Sequence, residues 1–260
     1  MKPNNRLVTY LNKASHTFPA TLLLVFLLAF DQVQVSAFCK PITSTSISSE
    51  TQLYQTNNNE INPIRYLGSG PSALIRPGVV LVAPKHEYDH FLMKSTVFIY
   101  AIGLDDNQDM VARGVIIDHP TAFTVGEMSP LVSGAVSNNL LFRGGNSGKD
   151  TAMMLHSAGG PDGPIPNSEM IGDSGIYEGG IVQAMEAVDA GIIDADRCKF
   201  FFNYMQFREM ELDDMFADVE DGDAWASLEV PVEYVLDSDL ERGEIWVKLH
   251  NAVKKFRESE

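Results

Sequence analysis

Cysteine is nearly missing: the 260 residues hold two, Cys39 and Cys198. Cys39 falls at an expected processing site, so Cys198 stands alone in the folded part and no internal disulfide is possible. Secreted scaffolds use more cysteine, and its scarcity fits a reducing compartment. Long apolar runs are also lacking. Leu22 to Phe30 is too short to cross a bilayer, which takes about 20 residues, and no later segment comes closer. The mature chain is therefore expected to be soluble, with no membrane partner. Basic residues are scarce, 19 Lys+Arg against 35 Asp+Glu, a formal net charge of −16. Binding a phosphate backbone needs clustered Lys/Arg. The one short cluster, Lys254-Lys255-Arg257, ends an expected helix and complements its dipole. No nucleic-acid partner is expected.

The first thirty residues contain no Asp or Glu. Lys2, Arg6 and Lys13 flank the Leu22–Phe30 run, and Val35-Ser36-Ala37 forms an A-x-A-like cleavage site. This predicts a signal peptide over 1–37. Thr43 to Thr51 then holds seven Ser/Thr in nine residues and a single acid, the composition of a transit peptide. The tandem resembles the bipartite presequence of algae with complex plastids, such as diatoms, which is cut before an aromatic; Phe38 sits at that place. A plastid location is expected, with secretion as the alternative. Removing 1–37 takes away Lys2, Arg6, Lys13 and Asp31, so 16 Lys+Arg face 34 Asp+Glu and the net charge becomes −18.

Residues 38–72 are rich in Ser, Thr, Asn and Gln, with too few large apolar groups to offset ordering entropy, and read as a transit peptide and flexible lead-in. The folded domain is expected over 73–260. Its length suits one core. The apolar runs 78–83, 95–102 and 111–117 predict buried strands, with shorter ones at 140–142 and 152–156 around a Gly-rich turn. Ile181, Ala184, Met185 and Val188 mark an amphipathic helix over 180–190. Lys199 to Phe207 reads as an aromatic strand and Glu209 to Ala217 as a helix. Residues 228–235 contain Pro231, so an edge strand at best. A terminal helix is expected over 239–256, capped by Asp239, with Ile245, Leu249, Val253 and Phe256 on its buried face. The irregular mixture argues for an α+β fold.

Several segments, in order, resemble the AlgH/YqgE family. They are Pro77 to Pro84, Phe91 with Ser95 to Ile99, Arg113 to Thr121 (the family's G-L-V-L-N-R-P stretch), and Leu141-Phe-Arg-Gly-Gly145 with Leu155-His156. Gly175 to Gly180, the 199–207 strand and Trp225 continue the register, so the resemblance covers about 76–257. It implies a single domain built on a mixed, barrel-like sheet with flanking helices, and no settled biochemistry. Bacterial members are often labelled transcriptional regulators, yet this sequence offers no DNA-reading element. There are departures. The family's Asn-Arg is Asp118-His119, its Pro after Gly-Gly is Asn146, and its G-Y-A-G-W is Asn203-Tyr-Met-Gln-Phe207. The family's next segment, G-Q-L-E, is an acidic helix around Glu209 to Asp214.

Several constellations carry possible chemistry. His86-Glu87-Tyr88-Asp89-His90 fits H-E-x-x-H. On a helix, His86 and His90 would share a face and bind Zn²⁺, with Glu87 as general base. No third ligand lies at close spacing, and the plainer reading is an exposed polar turn. Arg143-Gly144-Gly145 to Lys149 hints at a phosphate loop but fails the P-loop spacing, and Asp150 replaces the Mg²⁺-binding hydroxyl. Gly144 and Gly145 read first as close packing at a strand end. In the alternative reading, the turn faces a ligand, with Arg143 and Lys149 as its charges and His156 opposite. Asp118 and His119 are adjacent and point apart on a strand, which makes a base–orienter pair unfavourable. Gly172-Asp-Ser-Gly175 reads as a turn, and the eight acids in 209–223 as a solvated face.

Together these point to a non-enzymatic AlgH/YqgE-like protein of the plastid. It is expected to bind a protein or small-molecule partner through Arg143, Gly144, Gly145, Lys149 and His156. No cofactor and no catalytic residue are expected. A zinc-dependent hydrolase using His86, His90 and Glu87 is the alternative.

Overall fold

The aromatic run becomes β10 (Cys198–Arg208), an eleven-residue strand on which the rest of the sheet is assembled. It is apolar on both sides because both are covered. Phe201, Met205 and Phe207 enter the larger core, while Cys198 and Phe200 enter a second one. In a computed structural model of the chain, residues 64–160, 162–217, 222–239 and 241–259 are described. The expected signal peptide and most of the expected transit segment lie outside them.

The other strands are β1 (Arg65–Ser69), β2 (Val80–Val82), β3 (Thr96–Leu104), β4 (Met110–Ile116), β5 (Pro120–Thr124), β6 (Leu140–Arg143), β7 (Ser147–His156), β8 (Ser168–Met170), β9 (Tyr177–Gly179) and β11 (Ala226–Glu229). The α-helices are α1 (Val125–Met128), α2 (Ile181–Asp189), α3 (Glu209–Met215), α4 (Val232–Leu236) and α5 (Glu244–Ser259). Hydrogen-bonded strands follow the order β1-β11-β2-β3-β4-β10-β7-β9-β8, with β5 and β6 branching from β10. One edge of β10 is shared. Phe200–Phe202 pair in parallel with β6, and Met205–Arg208 pair antiparallel with β4. The other edge pairs antiparallel with β7. At the fork, Asn203 has φ 61° and the register slips. Asn is a residue that tolerates this left-handed conformation, and its Oδ1 accepts from the Asp150 N–H at 2.9 Å.

The expected mixed sheet with helices in one domain is present. Closure into a barrel is not, since the strand path ends at β1 and β8. Four further corrections have simple causes. The domain starts inside the supposed lead-in, because β1 pairs antiparallel with β11. Residues 228–235 are not an edge strand. β11 lies between β1 and β2 and stops before Pro231, which has no N–H to donate and instead opens α4. α5 begins at Glu244, so Asp239 does not cap it; the Asp239 N–H donates to Asp237 Oδ1 at 3.0 Å. Phe256 is half-buried and stacks on Tyr66, ring centroids 5.6 Å apart. Ile245, Trp246, Leu249 and Val253 bury the inner face of α5 against the larger core. α2 covers the second core with Ala184 and Val188.

Candidate functional site

A groove of about 260 Å³ opens where four segments meet. The turn before β3 supplies His90 and Phe91. The junction into β5 supplies His119, Pro120 and Thr121. The end of β6 supplies Arg143, and the residue two before α5 supplies Arg242. Backbone pairing fixes the floor, with the Arg143 N–H donating to His119 O at 2.8 Å. The Arg143 guanidinium lies over the Phe91 ring, 4.6 Å from its centroid, a cation–π contact that orients it. Thr121 Oγ1 donates to Leu141 O at 2.7 Å and so holds β5 to β6.

His119 is 6% exposed, and its Nε2 is buried with no hydrogen-bond partner. Burial, then the charges of Arg242, Arg143 and His90, pushes its imidazole down from 6.5 to about 4. It is neutral at neutral pH. Asp118 turns away from it into the core and accepts from the Trp246 N–H in the first turn of α5 at 3.4 Å, a long contact. A helix N-terminus favours such a carboxylate. Burial pushes the Asp118 carboxyl up, opposed by Trp246 and by the Lys199 charge. The two neighbours thus serve different sites, and the expected strand is corrected: both lie in the turn between β4 and β5, which separates them without strand alternation.

The groove is a basic concavity in an acidic chain. Its lining holds two guanidiniums and two imidazoles and, among the described residues, no carboxylate. Such a set has the chemistry to hold an anion.

Of the residues expected to form a ligand site, only Arg143 faces this groove. Gly144 is consumed by the sheet: its N–H donates to Phe202 O at 2.9 Å and its carbonyl accepts from Ile116 N at 2.8 Å. A Cβ on Gly145 would lie 2.2 Å from Tyr204 C and O, so the pair provides close strand packing. Lys149 is exposed on β7. His156 ends β7 in full burial, stacked on Tyr177 with centroids 5.8 Å apart, and its Nδ1 accepts from the Ala158 N–H at 3.2 Å. In register on β10 it lies opposite Cys198, while Arg143 lies opposite Phe202 on the other edge. The structure therefore separates His156 from Arg143.

His86 and His90 sit in turns, not on a helix, so the one-face geometry of H-E-x-x-H is not met. Glu87 is engaged, accepting from Trp225 Nε1 at 2.9 Å and from the Asp89 N–H at 2.8 Å. Among the described residues no group of three His, Cys, Asp or Glu is placed to hold a metal ion. Gly172–Gly175 is a turn, closed by Ser174 Oγ donating to Ile171 O at 2.8 Å. Among the described residues no helix is long and apolar enough to cross a membrane.

The AlgH-like family model, a domain of unknown function designated DUF179, matches residues 80–254. The chain belongs to the AlgH-like family. No curated protein matches it. An X-ray structure of a protein from Corynebacterium diphtheriae is similar in fold, with TM-score 0.50 and 12% identity, covering 67% of this chain and 85% of that one. The solution structure of the AlgH protein from Pseudomonas aeruginosa aligns with TM-score 0.45 and 17% identity, over 71% of this chain and 90% of that one.

Within this AlgH-like chain one of the departures from the family pattern falls in the groove. His119, standing where the resemblance places an arginine, lines the groove. Asn203 occupies the place of a family glycine at a positive φ. Arg242 was not legible as a site residue. Its only local signal is a lone base among acids just before a helix.

Proposed function

We propose that this AlgH-like protein is a non-enzymatic binding protein that holds a small anionic ligand in the groove of His90, His119, Arg143 and Arg242. The observation that carries the proposal is the buried, unpartnered Nε2 of His119 beside two guanidiniums and, among the described residues, no carboxylate. An unsatisfied buried polar group costs about 1–3 kcal/mol, recovered by an acceptor once the ring turns its Nε2, which is sealed from solvent, into the groove. Among the described residues the lining offers no cysteine, serine or carboxylate as nucleophile, and its one hydroxyl, that of Thr121, donates to Leu141 O.

Thermal unfolding in sulfate against equal ionic strength of chloride tests the reading. Sulfate also stabilises proteins by exclusion, so the Arg143→Gln/Arg242→Gln double variant supplies the baseline. At a hundredfold excess over Kd, binding adds about 2.7 kcal/mol, and the wild type should gain several degrees more than the double variant. Equal gains would refute the site. We propose further that the ligand is met in the plastid, on the strength of the leader composition. A fluorescent fusion to residues 1–60 that follows the secretory route would overturn that location.

A further inference from the structure

We propose that the groove selects a phosphoryl group over a carboxylate, its terminal oxygens shared between the guanidiniums of Arg143 and Arg242 and the Nε2 of His119. The proposal rests on the anion-binding reading and narrows it.

Donor count comes first. A carboxylate has two coplanar oxygens, and one guanidinium fork can occupy both. Here two forks arrive from unrelated segments, the end of β6 and the approach to α5, with an imidazole from the β5 junction as a third donor. A tetrahedral group with three terminal oxygens can meet all three donors. Charge comes second. The lining carries two guanidinium charges and no carboxylate among the described residues. A phosphomonoester carries about −1.5 to −2 at pH 7 and balances both, whereas a carboxylate leaves one uncompensated. Size comes third. About 260 Å³ admits a phosphoryl group with a short organic stub.

The same geometry couples binding to protonation. His119 faces Arg143 from β6, Arg242 from the approach to α5 and His90 from the preceding turn, and Asp118 lies next to it in the chain. Burial and those neighbours keep the empty site's imidazole neutral. A bound dianion offsets the neighbouring charges, so His119 takes up a proton with the ligand. Affinity for a dianion then rises as pH falls below neutrality. Sulfate does not titrate in this range and isolates the effect.

Isothermal titration of the full chain tests this with inorganic phosphate, phenyl phosphate, acetate and sulfate. Phosphate and phenyl phosphate should bind at least about tenfold more tightly than acetate, the worth of one charge-assisted hydrogen bond. Tighter phenyl phosphate assigns the occupant to an ester and tighter inorganic phosphate to the free ion; either supports the phosphoryl assignment. Sulfate affinity should rise from pH 7.5 to 5.5 in the His90→Gln variant, which removes the other imidazole of the lining, and stay flat in the His90→Gln/His119→Asn double variant. Arg242→Gln changes an exposed residue and keeps the test open if the buried His119 variant does not fold; it should lose phosphate binding by about tenfold. Acetate binding as tightly as phosphate, or Arg242→Gln binding phosphate like the wild type, overturns phosphoryl selection while leaving an anion groove. No binding of any of the four by folded protein overturns both readings.

Discussion

Gly145→Ala separates the two meanings that a Gly-Gly pair at a strand end can have. A Cβ built on Gly145 lies 2.2 Å from Tyr204 C and O and 2.4 Å from Met205 N. All three are backbone atoms of β10, the strand that joins both halves of the sheet, so no side-chain rotation relieves the clash. Overpacking in cores costs about 1–3 kcal/mol, and a fixed backbone obstacle puts this substitution at or above about 3 kcal/mol. Gly103→Ala is the internal control. Nothing lies within 4 Å of a Cβ there, and it should be neutral or gain up to about 1 kcal/mol from a less flexible unfolded chain. Urea unfolding reads both. With a slope near 2 kcal/mol per molar, the Gly145→Ala midpoint falls by roughly 1.5 M and that of Gly103→Ala does not fall. If Gly145→Ala stayed within about 0.5 kcal/mol of the wild type, close packing would not explain the pair, and a ligand-facing turn would return as its role.

Two other perturbations probe the buried polar groups. The His156 imidazole is pushed by burial from 6.5 down to about 4. Its folded value is depressed, so its stabilising effect is complete above about pH 6.5 and is lost as pH falls toward 4, a swing of ~3 kcal/mol. His119 acts in the same direction. Glu178 opposes them: burial, then Glu169, raises it to about 7, so its contribution is full below 4.5 and disappears as pH rises through 7. The difference between wild type and His156→Gln, followed by denaturation from pH 7 to 4, isolates one imidazole and should shrink by ~3 kcal/mol; a pH-independent difference contradicts the assignment. Lys199 is fully buried, donates to Val235 O at 3.1 Å and to Asp237 O, and lies 4.1 Å from the Phe142 ring centroid. Lys199→Met strands both carbonyls at the end of α4 and should cost about 3 kcal/mol, whereas wild-type stability would show that the amine does not hold that helix.

What was legible in the sequence follows from how burial is recorded there. β2, the first half of β3 and the second half of β4 are buried on both faces and appear as apolar runs. Ser168-Glu169-Met170 and Tyr177-Glu178-Gly179 make strands β8 and β9 only because each finds a partner, and their composition contains no periodic signal. β1 is recruited in the same way by β11, from the far end of the domain's sequence, Arg65 pairing with Glu229. The groove was partly visible. Arg143 stood out for its Gly-Gly neighbour, His90 for a motif it does not serve, and His119 as a departure from the family pattern. Nothing local joins them to Arg242, because the site is made by tertiary convergence of four segments. Lys199 is itself a local clue: a single amine in an aromatic run must find acceptors or lose its charge.

The most direct measurement is a crystal of the protein grown with selenate, a dianion whose selenium can be located by anomalous scattering. The account predicts a peak within hydrogen-bond reach of Arg143, Arg242 and His119 Nε2. A peak at Lys149 and the β6–β7 turn, or an empty groove at selenate concentrations that raise the thermal stability of the wild type above that of the double variant, would contradict it.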